Sequence, residues 1–271
     1  MIKHYLIMAG VVSALMCGTA PAETDPAAPP ASSQIVPDGK GLVVVAGATG
    51  RTGQLVVKHL RAEGYEVRAM VRSLEKGKRV LGDDIAMVRA DVTEPSTLPH
   101  LFAGADFVIS AIGASGKGGG KASPEAVDYG GSVALIDASK SAGIKKFIMV
   151  TSGGVTWWTH PINWFSGNVL KWKHKAELYL RASGLTHVIV RPNGGLTDEP
   201  GNSKKIAFTQ KDSFSWSISR EDVAIVCVKA LAHKEADNKT FEIQNDGDGL
   251  TAGKVEWTKT FSAMVVKSDN F

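Results

Sequence analysis

Six short runs rich in apolar residues punctuate the chain from residue 41 onward: 41–46 (GLVVVA), 66–71, 85–89, 107–112, 146–151 and 187–191. Apolar runs of this length without strict alternation mark strands buried on both faces. Between them the apolar spacing widens to three and four residues. An amphipathic stretch at 54–63 and longer helical patterns at 125–142 and 169–183 follow from that spacing. Strand and helix in alternation predict an α/β fold, a doubly wound parallel sheet covered by helices on both faces. No internal repeat interrupts the pattern.

The first 40 residues have a different texture. Lys3, an apolar run over 5–16, and Ala20-Pro21-Ala22 before Glu23 form the three parts of a secretory signal peptide. This predicts a signal peptide over 1–22 and an exported, periplasmic or secreted, protein. The alternative is an uncleaved membrane anchor, although the apolar run is shorter than the ~20 residues a spanning helix needs. Contact with a membrane is expected only in that case. Met16 stands where a small residue would precede a lipidated cysteine, which argues against lipidation of Cys17. Residues 23–40 are rich in Pro and Ala and read as a linker, leaving 41–271 as one domain.

Composition narrows the function. A chain that is 44% hydrophobic and 21% charged buries a full core. Its 31 Lys and Arg are interspersed with 27 Asp and Glu, without a run of five like charges, so no nucleic acid partner is expected. Cys17 and Cys227 are too few for a disulfide framework, and the seven histidines lack the spacing of a zinc site. No metal is expected. Asp246, Asp248 and Gly249 resemble part of a calcium loop, but Leu250 and Thr251 break that template and leave a turn.

The chemistry is concentrated after the first run. Gly47, Thr49, Gly50, Arg51, Thr52 and Gly53 belong to GATGRTG, between a predicted strand and a predicted helix. Glycines there let a pyrophosphate approach backbone N–H groups where the helix dipole favours negative charge. Gln54 follows Gly53, where a nucleotide hydrolase would need Lys. Arg72, at the end of the second strand, stands where an acidic residue would select NAD. Its guanidinium suits a 2′-phosphate, with Arg51 as reinforcement, so NADP is the favoured cofactor and NAD the lesser one. Asp91 and Val92, after the third strand, are placed to flank the adenine; the plain alternative for Asp91 is a cap.

These motifs, with AMVRS at 69–73, PEAVDYGG at 124–131, TSGG at 151–154, KHKAELYLRASGL at 173–185, RPNGGLTDEPG at 191–201 and SREDVA at 219–224, occur in one order. In that order the chain resembles the atypical short-chain dehydrogenase/reductases, in the NAD(P)H-binding, NmrA-like branch with the biliverdin and flavin reductases. Residues 172–201 look especially like a plant NAD(P)-binding member. The resemblance implies a Rossmann fold with a small substrate region near the C-terminus. It puts Ala111, Ile112 and Gly113 along the cofactor, Thr151 and Ser152 near the nicotinamide, and Lys173 on its ribose. It makes Arg191, Pro192, Asn193 and Gly194 the loop beneath the nicotinamide ring. Ser152 and Lys173 are the catalytic candidates; a capping serine and a surface lysine are the plain alternatives. The chain departs from the usual pattern in one respect. The tyrosine that serves as general acid four residues before the lysine is replaced by Val169.

Trp157, Trp158 and Trp164, with Phe165, fall in an irregular stretch after the fifth strand and are candidates for a wall that stacks a flat substrate. Core or lid packing, or contact with a membrane or partner, competes with that role. Ser219 and Asp222 read as a helix cap of the box type, and Cys227 as a packed thiol. The expected function is an NADP-dependent oxidoreductase moving hydride to or from a small-molecule substrate, preferably a planar one such as a flavin or quinone. The alternative is a non-catalytic NAD(P)-binding sensor, scaffold or assembly factor.

Overall fold

Val43 and Val45 of the first strand, β1 (Leu42–Ala46), enter one hydrophobic core, and Val44 and Ala46 enter another on the opposite face. Complete burial on both sides explains why this run carries no polar alternation. The computed structural model describes residues 39–114, 119–157, 159–212, 217–246 and 249–266. All of them belong to the compact unit Asp38–Phe271.

Five further strands pair in parallel around β1: β2 (Glu66–Val71), β3 (Ala86–Arg89), β4 (Phe107–Ser110), β5 (Lys146–Val150) and β6 (His187–Pro192). Their spatial order, 3-2-1-4-5-6, reverses direction between β1 and β4. Crevices that bind ligands form at that switch point, outside the carboxyl ends of the strands.

The helices are α1 (Arg51–Ala62), α2 (Leu74–Leu81), α3 (Ser132–Ser141), the single turn α4 (Ile162–Phe165), α5 (Val169–Ala182), α6 (Arg220–Ala232) and α7 (Trp257–Ser262). Val56 and Leu60 of α1 join Val223 and Cys227 of α6 in the core on one face of the sheet. Leu135 and Ile136 of α3 join Leu180 of α5 in the core on the other. The helix expected over 125–142 is divided into a π-helical turn, Glu125–Gly131, and α3. Such turns recur at functional sites because one extra residue re-aims the side chains around it.

Beyond β6 the sheet continues through strands the apolar pattern did not reveal. β10 (Lys239–Asn245) lies parallel to β6, and β8 (Lys205–Thr209) runs antiparallel to β10. β11 (Leu250–Thr251) runs antiparallel to β8 and completes that edge. β7 (Leu196–Thr197) and β9 (Ile218–Ser219) form a separate pair.

At the start of α6, Ser219 accepts the Glu221 N–H (3.1 Å), as expected of a cap. The reciprocal half of the box is absent. Asp222 instead accepts from the Asn202 N–H (2.7 Å) and Asn245 Nδ2 (2.9 Å), while the Ser219 N–H donates to Asn245 Oδ1. Cys227 is fully buried, and desolvation pushes its thiol up to about 12. It is a packing group rather than a nucleophile.

Candidate functional site

The turn after β1 is built around absent side chains. Gly47 has φ +80°, and a Cβ there would lie 2.6 Å from the Ala111 carbonyl oxygen of the neighbouring strand end. A Cβ at Gly53 would overlap the Gly47 carbonyl, so this glycine is needed for α1 to pack against the turn. Gly50 caps α1 in an extended conformation without a side-chain hydrogen bond, and the first turn of the helix carries no acidic residue. Its N–H groups and dipole are therefore directed at whatever occupies the space above Gly50.

That space is an open cleft of about 230 Å³, at the carboxyl ends of β1, β2 and β4. Gly47, Thr49 and Gly50 line it with Arg72, Asp91 and Val92 on one side and Ala111, Ile112 and Gly113 on the other. Nine residues singled out in the sequence thus meet around one crevice. Lys76 joins them, and sequence reasoning missed it. Its signal was its position, four residues after Arg72 and within the first turn of α2. Asp91 serves its own turn as well: its Oδ1 accepts from the Thr93 N–H (2.9 Å) and Thr93 Oγ1 (2.8 Å), which fixes the loop beside the cleft.

Ile112 also borders a small cavity walled by Thr151, Lys173 and Asp128. Lys173 Nζ lies 2.6 Å from Asp128 Oδ1, and Asp128 Oδ2 accepts the Ala114 N–H (3.1 Å). The Asp128 side chain is almost completely buried, and it projects from the π-helical turn. Sequence reasoning overlooked it because an acid in PEAVDYGG resembles any polar helical position. Thr151 Oγ1 donates to Glu177 Oε1 (2.6 Å), and Ser152 Oγ to the Gly153 carbonyl (3.0 Å).

Several expected contacts are not assembled at the cleft. Arg51, the expected reinforcement of Arg72, opens α1 on its exposed side and pairs with Asp198 at 3.0 Å; it borders a separate depression. Thr52 and Gly53 stand in α1 behind the turn and do not line the cleft. Arg191 is an interior residue. Its Nε and Nη2 hold Glu177 (3.0 and 2.5 Å), its Nη1 holds Glu242 (3.0 Å), and Asp212 lies 3.5 Å away. The guanidinium is thereby committed to these acids, so any part Arg191 plays in the loop expected beneath the nicotinamide ring falls to its backbone. Burial alone would raise the Glu177 carboxyl, but Arg191 and Arg181 hold it below its ordinary range. Pro192 ends β6, and the buried Asn193 donates to Gln244 (3.1 Å). Gly194 turns the chain with φ +60°. Trp157 and Trp164 are exposed and line neither cavity, while Trp158 lies outside the described residues, as do Cys17 and the expected signal peptide.

A family model described as NAD(P)H-binding matches residues 47–234, from the glycine turn through α6. The chain belongs to the NAD(P)H-binding family. Its relatives place it among the atypical short-chain dehydrogenase/reductases. It is 34% identical over 248 residues to an uncharacterized chloroplastic protein of Arabidopsis thaliana, covering 83% of this chain and 76% of that one. It is 32% identical to the sanguinarine reductase of Eschscholzia californica, covering 82% and 94%. Among solved structures, a candidate NAD-dependent epimerase/dehydratase from Bacillus halodurans superimposes with a TM-score of 0.71 at 31% identity, covering 82% of this chain and 99% of that chain. The lining fits the cofactor of the family: Gly47 and Gly53 leave no room for a Cβ at the turn, where a pyrophosphate would lie, and Arg72 and Lys76 stand together at one end of the cleft.

Proposed function

We propose that this protein is an NADPH-dependent reductase that passes hydride to a planar acceptor, such as a flavin or quinone, whose proton comes from solvent. The observation that carries this reading is the end of the crevice, where the Lys173–Asp128 pair stands beside Thr151 and Val169 replaces the usual tyrosine. A simple ketone needs a proton donor as the hydride arrives, whereas a flavin or quinone delocalises the charge and is protonated by water. Bound NADPH supplies the hydride. The chain's own residues position it: Gly47 and Gly50 take the pyrophosphate, Arg72 and Lys76 the 2′-phosphate, and Lys173 the nicotinamide ribose, with Ser152 nearby. The reductase name carried by the Eschscholzia relative supports the reaction class.

The test is stopped-flow oxidation of NADPH against planar and aliphatic acceptors, with Lys173→Ala beside the parent. Turnover with quinones or flavins, failure with aliphatic ketones and a slower Lys173→Ala support the proposal. Tight NADPH binding without turnover on any acceptor favours the second reading, a cofactor-binding sensor or scaffold, to which the absent tyrosine lends weight. We also infer that residues 1–22 are a targeting segment. Several relatives are named as chloroplastic proteins, so the destination is decided by N-terminal mass and fractionation in the native host. No helix among the described residues is long and apolar enough to cross a membrane.

A further inference from the structure

Four large apolar side chains between positions 157 and 165 are exposed: Trp157 (50%), Ile162 (40%), Trp164 (74%) and Phe165 (83%). They follow the carboxyl end of β5, and none of them lines the cofactor cleft or the cavity beside Lys173. A patch of this kind is stable in water only at a cost, and its surroundings indicate what covers it.

From residue 153 to residue 176 the chain contains no Asp or Glu. The start of α5 presents two exposed lysines, Lys171 and Lys175, on either side of Trp172. Lys175 Nζ lies 4.7 Å from the Trp172 ring centroid and 5.6 Å from that of Tyr129, and Lys171 Nζ lies 5.6 Å from Trp172. Neither ammonium pairs with a carboxylate among the described residues, whereas Lys173 between them turns inward to Asp128. The exposed acid on the neighbouring π-helical turn is Glu125. Exposed indole rings beside lysine ammonium groups are the chemistry of a water–bilayer interface, where rings enter the headgroup layer and ammonium groups meet lipid phosphates.

We propose that Trp157, Ile162, Trp164 and Phe165, with the first turns of α5, form a docking surface for an anionic lipid bilayer. The charge decides for this occupant over an apolar protein partner: the two unpaired lysines outnumber the single exposed acid, Glu125, beside them and complement a negative leaflet. The inference is independent of the reductase reading. It differs from the expectation that membrane contact would come only through the N-terminal segment.

The test is flotation of the full chain with vesicles of equal parts phosphatidylglycerol and phosphatidylcholine, and with phosphatidylcholine alone. Lipids brominated on their acyl chains report tryptophan insertion by quenching. The parent should bind the anionic vesicles and be quenched. Lys171→Gln with Lys175→Gln should weaken binding about twenty-fivefold, at roughly fivefold for each charge near the surface. Trp164→Ser with Phe165→Ser should abolish most of the quenching while the melting temperature and NADPH affinity stay unchanged. Binding equal on neutral and anionic vesicles overturns the proposal, as does binding that neither double variant reduces, which would trace it to the N-terminal segment. Loss of acceptor turnover in the aromatic variant with unaltered vesicle binding overturns it in favour of an acceptor wall. Capture of a protein partner without vesicle binding does so in favour of a protein interface.

Discussion

Replacing Arg191 with Met removes the one guanidinium that holds three buried acids together, and keeps most of its apolar stem. Glu177 and Glu242 are fully buried, and Asp212 is 8% exposed at its side chain. Arg181 is the other cation of the cluster, and it reaches Glu177 at 3.1 Å. Among the ion pairs of the described residues, two positive charges therefore face these three acids, and after the substitution one does. Removing one partner of a buried pair costs about 3–5 kcal/mol, because the remaining charge stays desolvated and uncompensated. That is a large share of the ~5–15 kcal/mol that holds a domain folded. At about 2–4 °C per kcal/mol for a domain of this size, the melting temperature should fall by roughly 6–20 °C. Thermal and urea unfolding followed by circular dichroism measure the loss. The triple change Arg191→Met, Glu177→Gln, Glu242→Gln should recover at least half of it. The pH dependence has a definite sign. In the parent, the depressed Glu177 carboxyl contributes stability that is lost as pH falls below the ordinary carboxylate range. In Arg191→Met, burial raises this carboxyl instead, and the deficit shrinks as pH falls and the group protonates. A loss below about 1 kcal/mol, or a deficit as large at mildly acid as at neutral pH, would refute the reasoning.

Arg72→Ala and Lys76→Ala should each weaken NADPH about ten- to hundredfold while leaving NADH nearly unchanged, as calorimetry would show, since a charge-assisted contact is worth about 1.5–3 kcal/mol. Asp128→Asn should release Lys173 and the Ala114 N–H from one carboxylate. It should lower NADPH turnover by about tenfold or more at saturating cofactor, with a shifted pH profile read by steady-state kinetics. Glu221 is held at about 2 by its contact with Lys58, the Gly201 N–H and His59, against an ordinary 4.5. It therefore contributes stability above pH 4.5 that is lost as pH falls toward 2. Glu221→Gln should cost about 1–2 kcal/mol at neutral pH, discounted because Lys58 is largely exposed, and flatten the acid limb of the unfolding curve.

The parts of the fold that could be read in advance are those whose signal is local. Six strands, α1 and the glycine turn are each specified by a handful of consecutive residues, and a turn that must clear Ala111 and admit α1 demands Gly47 and Gly53 wherever it occurs. What stayed hidden depends on residues distant in sequence. β10 carries Lys239, Glu242 and Gln244 inside the protein, so its apolar alternation is masked by polar groups that find partners only after folding, such as Arg191 for Glu242. Arg191 illustrates the same effect in the site. RPNG looks like a loop beneath a ring until Glu177, Asp212 and Glu242, from three other segments, draw the guanidinium inward. Asp128 was invisible because its role depends on a π-helical turn, which leaves no periodic mark. Trp157 and Trp164 were legible as a cluster of aromatics, but which way the loop presents them is set by the packing of its backbone.

The most direct test of the central claim is single-turnover oxidation of NADPH bound to the full chain, with a planar quinone as acceptor and deuterium at C4 of the nicotinamide. Hydride transfer from the cleft predicts rapid loss of the reduced-nicotinamide absorbance, slowed by deuterium on one of the two C4 faces and slowed further by Lys173→Ala. NADPH that binds tightly yet stays reduced with every acceptor, or oxidation indifferent to deuterium on both faces and to Lys173→Ala, would contradict it.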